Sequence, residues 1–164
     1  MCLPKLQSNH NSSSSAVFAS APQFVSLANL PFVPTFTAAN LSAGQSVGVV
    51  ASSVSGTTAT ASNIYLTPQT LGGTVTAIST VSGWTRYTLS LPSGSAFTTL
   101  SGASTVTVYT SAATAPPPPT AVGGTAPPAI AVNSVVRFNG LVFSTGGGTF
   151  SMVAGCSPDG PPGI

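Results

Sequence analysis

Charge is what this chain has least of. Its 164 residues include three basic side chains and one acidic one, 2% of the total, where ordinary soluble domains carry about 25%. They are Lys5, Arg86, Arg137 and Asp159, and there is no glutamate. General acid–base catalysis needs a titratable group held beside the reacting atoms. The candidates are Asp159 in the turn-forming Pro158-Asp159-Gly160-Pro161, His10 in a Ser/Asn-rich stretch, two cysteines and three tyrosines. No spacing brings them together, so no catalytic residue, metal set or cofactor site is expected, and the chain does not read as an enzyme. Nucleic acid is excluded on similar grounds, because phosphate binding rests on clustered Lys and Arg. Three isolated cations make no cluster.

Long apolar runs are also missing. Ser, Thr and Gly interrupt every such stretch well before the roughly 20 residues of a spanning helix, so no membrane span is expected. Met1-Cys2-Leu3-Pro4-Lys5-Leu6 runs into a polar segment without the apolar h-region of an export signal. A Ser/Thr/Gly-rich, charge-poor β chain nevertheless suits an extracytoplasmic place, secreted or in the cell envelope. Cys2 and Cys156 stand near opposite ends. A disulfide between them would tie the termini together in an oxidising compartment; two separate thiols is the plainer reading.

What the sequence has in quantity is β pattern. In Gly44-Gln45-Ser46-Val47-Gly48-Val49-Val50-Ala51, Val47, Val49 and Ala51 fall on one face. The next run, Thr58-Ala59-Thr60-Ala61-Ser62-Asn63-Ile64-Tyr65-Leu66, slips phase near Ser62-Asn63, which predicts a β-bulge. Gly72-Gly73 is expected to open the strand Thr74-Val75-Thr76-Ala77-Ile78-Ser79. Beyond a Ser82-Gly83 turn, Trp84-Thr85-Arg86-Tyr87-Thr88-Leu89-Ser90-Leu91 puts Tyr87, Leu89 and Leu91 on one face and Arg86, Thr88 and Ser90 on the other. Ala96-Phe97-Thr98-Thr99-Leu100 fits a single helical turn, and Thr105-Val106-Thr107-Val108-Tyr109 a strand. A closing hairpin joins 135–143 to 149–154. The Pro-rich stretch 112–128, with Pro116-Pro117-Pro118-Pro119, suits a polyproline-like loop.

These readings divide the chain into a low-complexity arm (1–22), a partial β unit (23–71), a small β-barrel (72–155, containing the loop 112–128) and an irregular tail (156–164). Within the partial unit, Phe24-Val25-Ser26-Leu27 suits a short first strand. Leu41-Ser42-Ala43-Gly44-Gln45-Ser46-Val47 has the same shape as Ile130-Ala131-Val132-Asn133-Ser134-Val135-Val136: an apolar residue, a short turn, then an alternating strand. The two β units therefore read as related.

The segments Asn40-Leu41-Ser42-Ala43-Gly44-Gln45-Ser46-Val47, Leu71-Gly72-Gly73-Thr74-Val75-Thr76-Ala77-Ile78 and Tyr87-Thr88-Leu89-Ser90-Leu91-Pro92, with the closing hairpin, resemble an uncharacterised bacterial family of exported small β-barrel repeat domains. The resemblance covers roughly 36–155. It implies an all-β fold, a small antiparallel OB-like barrel preceded by a partial related unit, in an envelope or secreted location. It carries over no function and no site residues.

Two roles fit these features. The first is a non-catalytic structural or adhesive module of the cell surface, self-associating or joining other surface proteins. The alternative is a carbohydrate- or small-ligand-binding barrel, in which Trp84, Arg86 and Tyr87 form the ligand patch, since aromatics on such barrels stack on sugar rings or bases. Trp84 capping the barrel end is the plainer account of that residue. Arg137, flanked by apolar residues, must reach solvent or a partner, because an unpaired buried charge is very costly.

Overall fold

The computed structural model describes residues 17–19, 29–55, 58–111 and 129–155. The Phe24–Leu27 strand expected from sequence, the Pro-rich stretch, both cysteines, His10, Lys5 and Asp159 lie outside them. The fold is all-β. Strands β1 (Val17–Ala19), β2 (Val47–Ser55) and β3 (Thr58–Leu66) form one sheet in the order β1-β3-β2. Strands β4 (Gln69–Val81), β5 (Trp84–Ser90), β6 (Thr105–Ser111), β7 (Val135–Gly146) and β8 (Thr149–Ala154) close into a barrel in the order β4-β5-β6-β8-β7, with β4 pairing back to β7.

The sheets are mixed rather than antiparallel throughout. β1 runs parallel to β3, and β6 parallel to β8. The arm 1–22 contains β1, and the barrel starts at Gln69 rather than at Gly72. Gly72-Gly73 does not open a strand but sits within β4. A Cβ on Gly73 would run into the Ser90 backbone carbonyl, so this glycine allows the neighbouring strand to approach closely, while one on Gly72 would sit tightly against the Arg137 side chain.

Two-residue alternation fills the barrel. Leu71 and Val75, Leu89, Val106 and Val108, Val136 and Val142, and Phe150, Met152 and Ala154 all enter one buried cluster, against which Tyr87 and Phe138 pack. The expected facing of Tyr87 and Leu89 is observed. Between β5 and β6 runs α1 (Ala96–Ser101), where the Ser95 hydroxyl accepts the Thr98 N–H and Gly102, at φ 72°, ends the helix. Phe97 from this helix meets the Phe150 ring edge-on at 5.1 Å.

Bulges bend the strands at four places, and each carries a hydroxyl. Ser62 is skipped on β3 as the pairing passes from Val50↔Asn63 to Ala51↔Ala61, which is where the phase slip placed a bulge; Ser52 is skipped on β2. Thr76 on β4 and Thr145 on β7 are skipped likewise. A bulge leaves ladder groups unpaired. Here Ser62 donates to the Val50 carbonyl, Ser52 to Thr60, Thr76 to Thr88 and Thr145 to Thr149, at 3.0–3.3 Å. The abundance of Ser and Thr thus has a structural use: the side chain supplies the hydrogen bond that the ladder lost.

Candidate functional site

Trp84 begins β5 on the outward face, and it is buried. It belongs to a second core formed by Phe36, Leu66, Tyr109, Leu141, Phe143 and Val153 on the outer side of the barrel. The alternation on β7 shows this directly: Val142 points into the barrel cluster while Leu141 and Phe143, on either side of it, point into the outer one. Residues 30–36 cover this face, and the Phe32 ring lies 5.2 Å from Tyr109 and 6.0 Å from Phe143. Trp84 therefore neither lines a ligand platform nor caps the barrel end; it packs a junction.

The other two members of the expected patch go elsewhere. Arg86 is exposed, and its Nε donates to the Ser79 hydroxyl at 3.0 Å. Tyr87 points to the barrel interior, its ring 5.3 Å from Phe138. Trp84, Arg86 and Tyr87 share a strand but not a surface. Arg137 reaches solvent, with its aliphatic stem over Gly72. Among the described residues no group of His, Cys, Asp or Glu could hold a metal ion, and no helix is long and apolar enough to cross a membrane.

One concavity is a groove of about 270 Å³ between residues 102–107 and 148–150. Gly, Ser and Thr line much of it, and no titratable side chain does. It offers neutral hydrogen bonding. It lacks the aromatic platform on which the glycan reading depended, because the one aromatic lining residue, Phe150, is buried in the barrel core.

Sequence reasoning missed the residues that join the two units. Gln45 Nε2 donates to the Val142 carbonyl at 2.9 Å, and its Oε1 accepts the Ser42 N–H at 2.8 Å. Gln69 Nε2 donates to the Gly44 carbonyl at 3.1 Å, and its Oε1 accepts the Ser46 N–H. The Ser42 hydroxyl donates to that of Ser144, a buried serine on β7. These neutral amides do what ion pairs do in ordinary domains, and no buried side-chain polar atom among the described residues lacks a partner. The available signal was position: each glutamine borders a turn or strand start in a chain poor in long polar side chains.

The remaining feature is the β2–β3 ribbon. Val47, Val49, Val50 and Val54 of β2 are all exposed, and neither strand carries a charge. β1 and β2 are the edges of their sheet.

The molecule is thus an all-β protein in which a closed five-stranded barrel carries an open three-stranded sheet. Compared with protein-family models, curated proteins and solved structures, the chain matches none.

Proposed function

We propose that this chain is a non-catalytic structural or adhesive module that works outside the cytoplasm by associating through uncovered β structure, with further copies or other surface proteins as partners. The observation that carries the reading is the uncharged β2 edge with its exposed valines. Solitary sheet edges are normally protected by lysine, proline or covering segments, because their free N–H and C=O groups invite another strand. β2 has one bulge, at Ser52, but no charge to repel a neighbour. The scarcity of charge elsewhere acts in the same direction, since little repulsion keeps copies apart.

The strand order with its parallel β6–β8 pair supports an OB-like reading of the barrel. The likeness to exported bacterial barrel repeats supports the location. A non-catalytic role is supported by the placement of the described ionisable side chains, with Arg86 and Arg137 exposed and Tyr65, Tyr87 and Tyr109 packed against apolar residues.

Light scattering over a concentration series tests the proposal. The expected result is concentration-dependent association that the double variant Val49→Lys/Val54→Lys abolishes. A chain that stays strictly monomeric at high concentration overturns it.

A further inference from the structure

The open sheet and the barrel share a plan. In the barrel, β6 is followed by β7 and β8; β6 runs parallel to β8, and β8 antiparallel to β7. In the open sheet, β1 is followed by β2 and β3; β1 runs parallel to β3, and β3 antiparallel to β2. The order β1-β3-β2 is therefore the order β6-β8-β7 over again.

The turns leading into β2 and β7 share one hydrogen-bond pattern. The Ser42 carbonyl accepts the Gln45 N–H while the Ser42 N–H donates to the Gln45 side chain. The Ala131 carbonyl accepts the Ser134 N–H while the Ala131 N–H donates to the Ser134 hydroxyl. In each turn the third residue has a positive φ, 92° at Gly44 and 72° at Asn133.

The barrel also shows what the open sheet lacks. β7 is flanked by β4, and β6 by β5, and β4 and β5 form a hairpin. Counted from the matched turns, Val47 and Val49 stand where Val136 and Phe138 stand on β7. Val136 pairs with Gly73 and Phe138 with Leu71, and both contribute to the barrel core. Among the described residues Val47 and Val49 have no such neighbour, and Val49 is 55% exposed.

We infer that the β1–β3–β2 sheet is an incomplete barrel and that its occupant is an antiparallel β-hairpin supplied by a partner polypeptide, with apolar side chains at alternate positions like those of β4–β5. One strand of this hairpin pairs antiparallel with β2 and the other with β1, and its inward residues cover Val47 and Val49. Strand addition of this kind takes its affinity from main-chain hydrogen bonds and its specificity from alternate side chains. This inference rests on the structural reading above and names the partner of the same surface.

The test adds a synthetic hairpin with the sequence of residues 69–91 to the full chain and follows amide exchange by mass spectrometry. The expected result is exchange in β2 slowed by about tenfold or more, since a newly paired edge opens less often, with the barrel strands unchanged. Because a free hairpin can be poorly folded, a second chain carries an extra copy of residues 69–104 tethered by a Gly/Ser linker ahead of Val17. Val49→Lys in this tethered chain should remove the protection, because the lysine would point into the completed barrel although it is harmless on the open sheet. Unchanged β2 exchange in both arms overturns the inference, as does protection that appears only in the barrel strands or survives Val49→Lys. Failure here with concentration-dependent association intact leaves the structural reading standing. Slowed exchange in a chain that never associates upholds the inference and removes that reading.

Discussion

β2 and β7 begin from the same turn and end in different surroundings. On β7, apolar side chains alternate between two buried clusters, one inside the barrel and one outside it, and Phe143 is 1% exposed. Val54, on β2, is 70% exposed. The local chemistry is alike: alternating apolar residues, a bulge relieved by a hydroxyl, and a hairpin to the next strand. What differs is the number of neighbouring strands. Burial here is a property of sheet closure, not of the strand's own sequence, and a strand of the same pattern becomes core or surface according to whether its edges are filled.

The largest test of this contrast is truncation of an apolar side chain on each strand. Phe143→Ala should lower unfolding stability by about 3–5 kcal/mol, the usual loss for a buried aromatic. Val54→Ala should stay within about 0.5 kcal/mol, as surface changes do. Urea unfolding followed by far-UV circular dichroism measures both. Comparable losses would mean that β2 is covered in solution, and the contrast between the two units would fail. Trp84→Ala belongs with Phe143→Ala, so a change in ligand binding by that variant could not be read apart from unfolding.

A smaller effect is expected at the junction. Gln45→Ala leaves the Val142 carbonyl and the Ser42 N–H without their partner, which costs about 1–3 kcal/mol where water does not replace it. The consequence should be uneven. Amide exchange in 42–66 should quicken while the barrel strands hold, since regions open in separate cooperative units. Equal quickening in both would show that the open sheet and the barrel unfold as one.

Much of this architecture was legible in the sequence because local pattern controls it. The alternation in 84–91 gave the inward face of β5, and the phase slip at Ser62-Asn63 gave the bulge. The pairing partners were less legible. Parallel pairing of β1 with β3 and of β6 with β8 joins segments distant in sequence, and nothing in a strand's own alternation names its neighbour. The same gap misplaced the candidate site. Trp84 lies on the polar face of β5 by parity and would be exposed on an isolated hairpin, but residues 30–36 fold over that face. Gly72-Gly73 misled for a related reason: glycine marks both strand ends and close crossings, and only the position of Ser90 distinguishes them.

The bulges provide a finer comparison. Thr76→Val removes the hydroxyl that satisfies the Thr88 carbonyl within the barrel, a loss of about 0.5–1.5 kcal/mol. Ser62→Ala removes the equivalent bond to Val50 in the open sheet. Both bonds are exposed to water, so the two losses should be alike, and thermal melts of the two variants compare them. A larger loss for Ser62→Ala would again point to a covered ribbon.

The smallest expected effect concerns pH, and it treats the two regions alike. Stability changes with pH only where the unfolded chain binds a different number of protons from the folded one. The described residues of both units contain no Asp, Glu, His or Lys, so their stability should be flat from about pH 4 to pH 8, within the range where those carboxylates and histidines ordinarily titrate. Thermal melts across that range check it. A departure would carry a sign that narrows its source. Stability lost as pH falls would mean that folding lowers the pKa of a group outside the described residues, Asp159, His10 or the terminal carboxyl, so that the unfolded chain takes up the proton first. Stability lost as pH rises would mean that folding raises the pKa of such a group. Either result would attach a terminal segment to one of the two units, and amide exchange at the two pH values would then show whether the barrel or the open sheet had gained it.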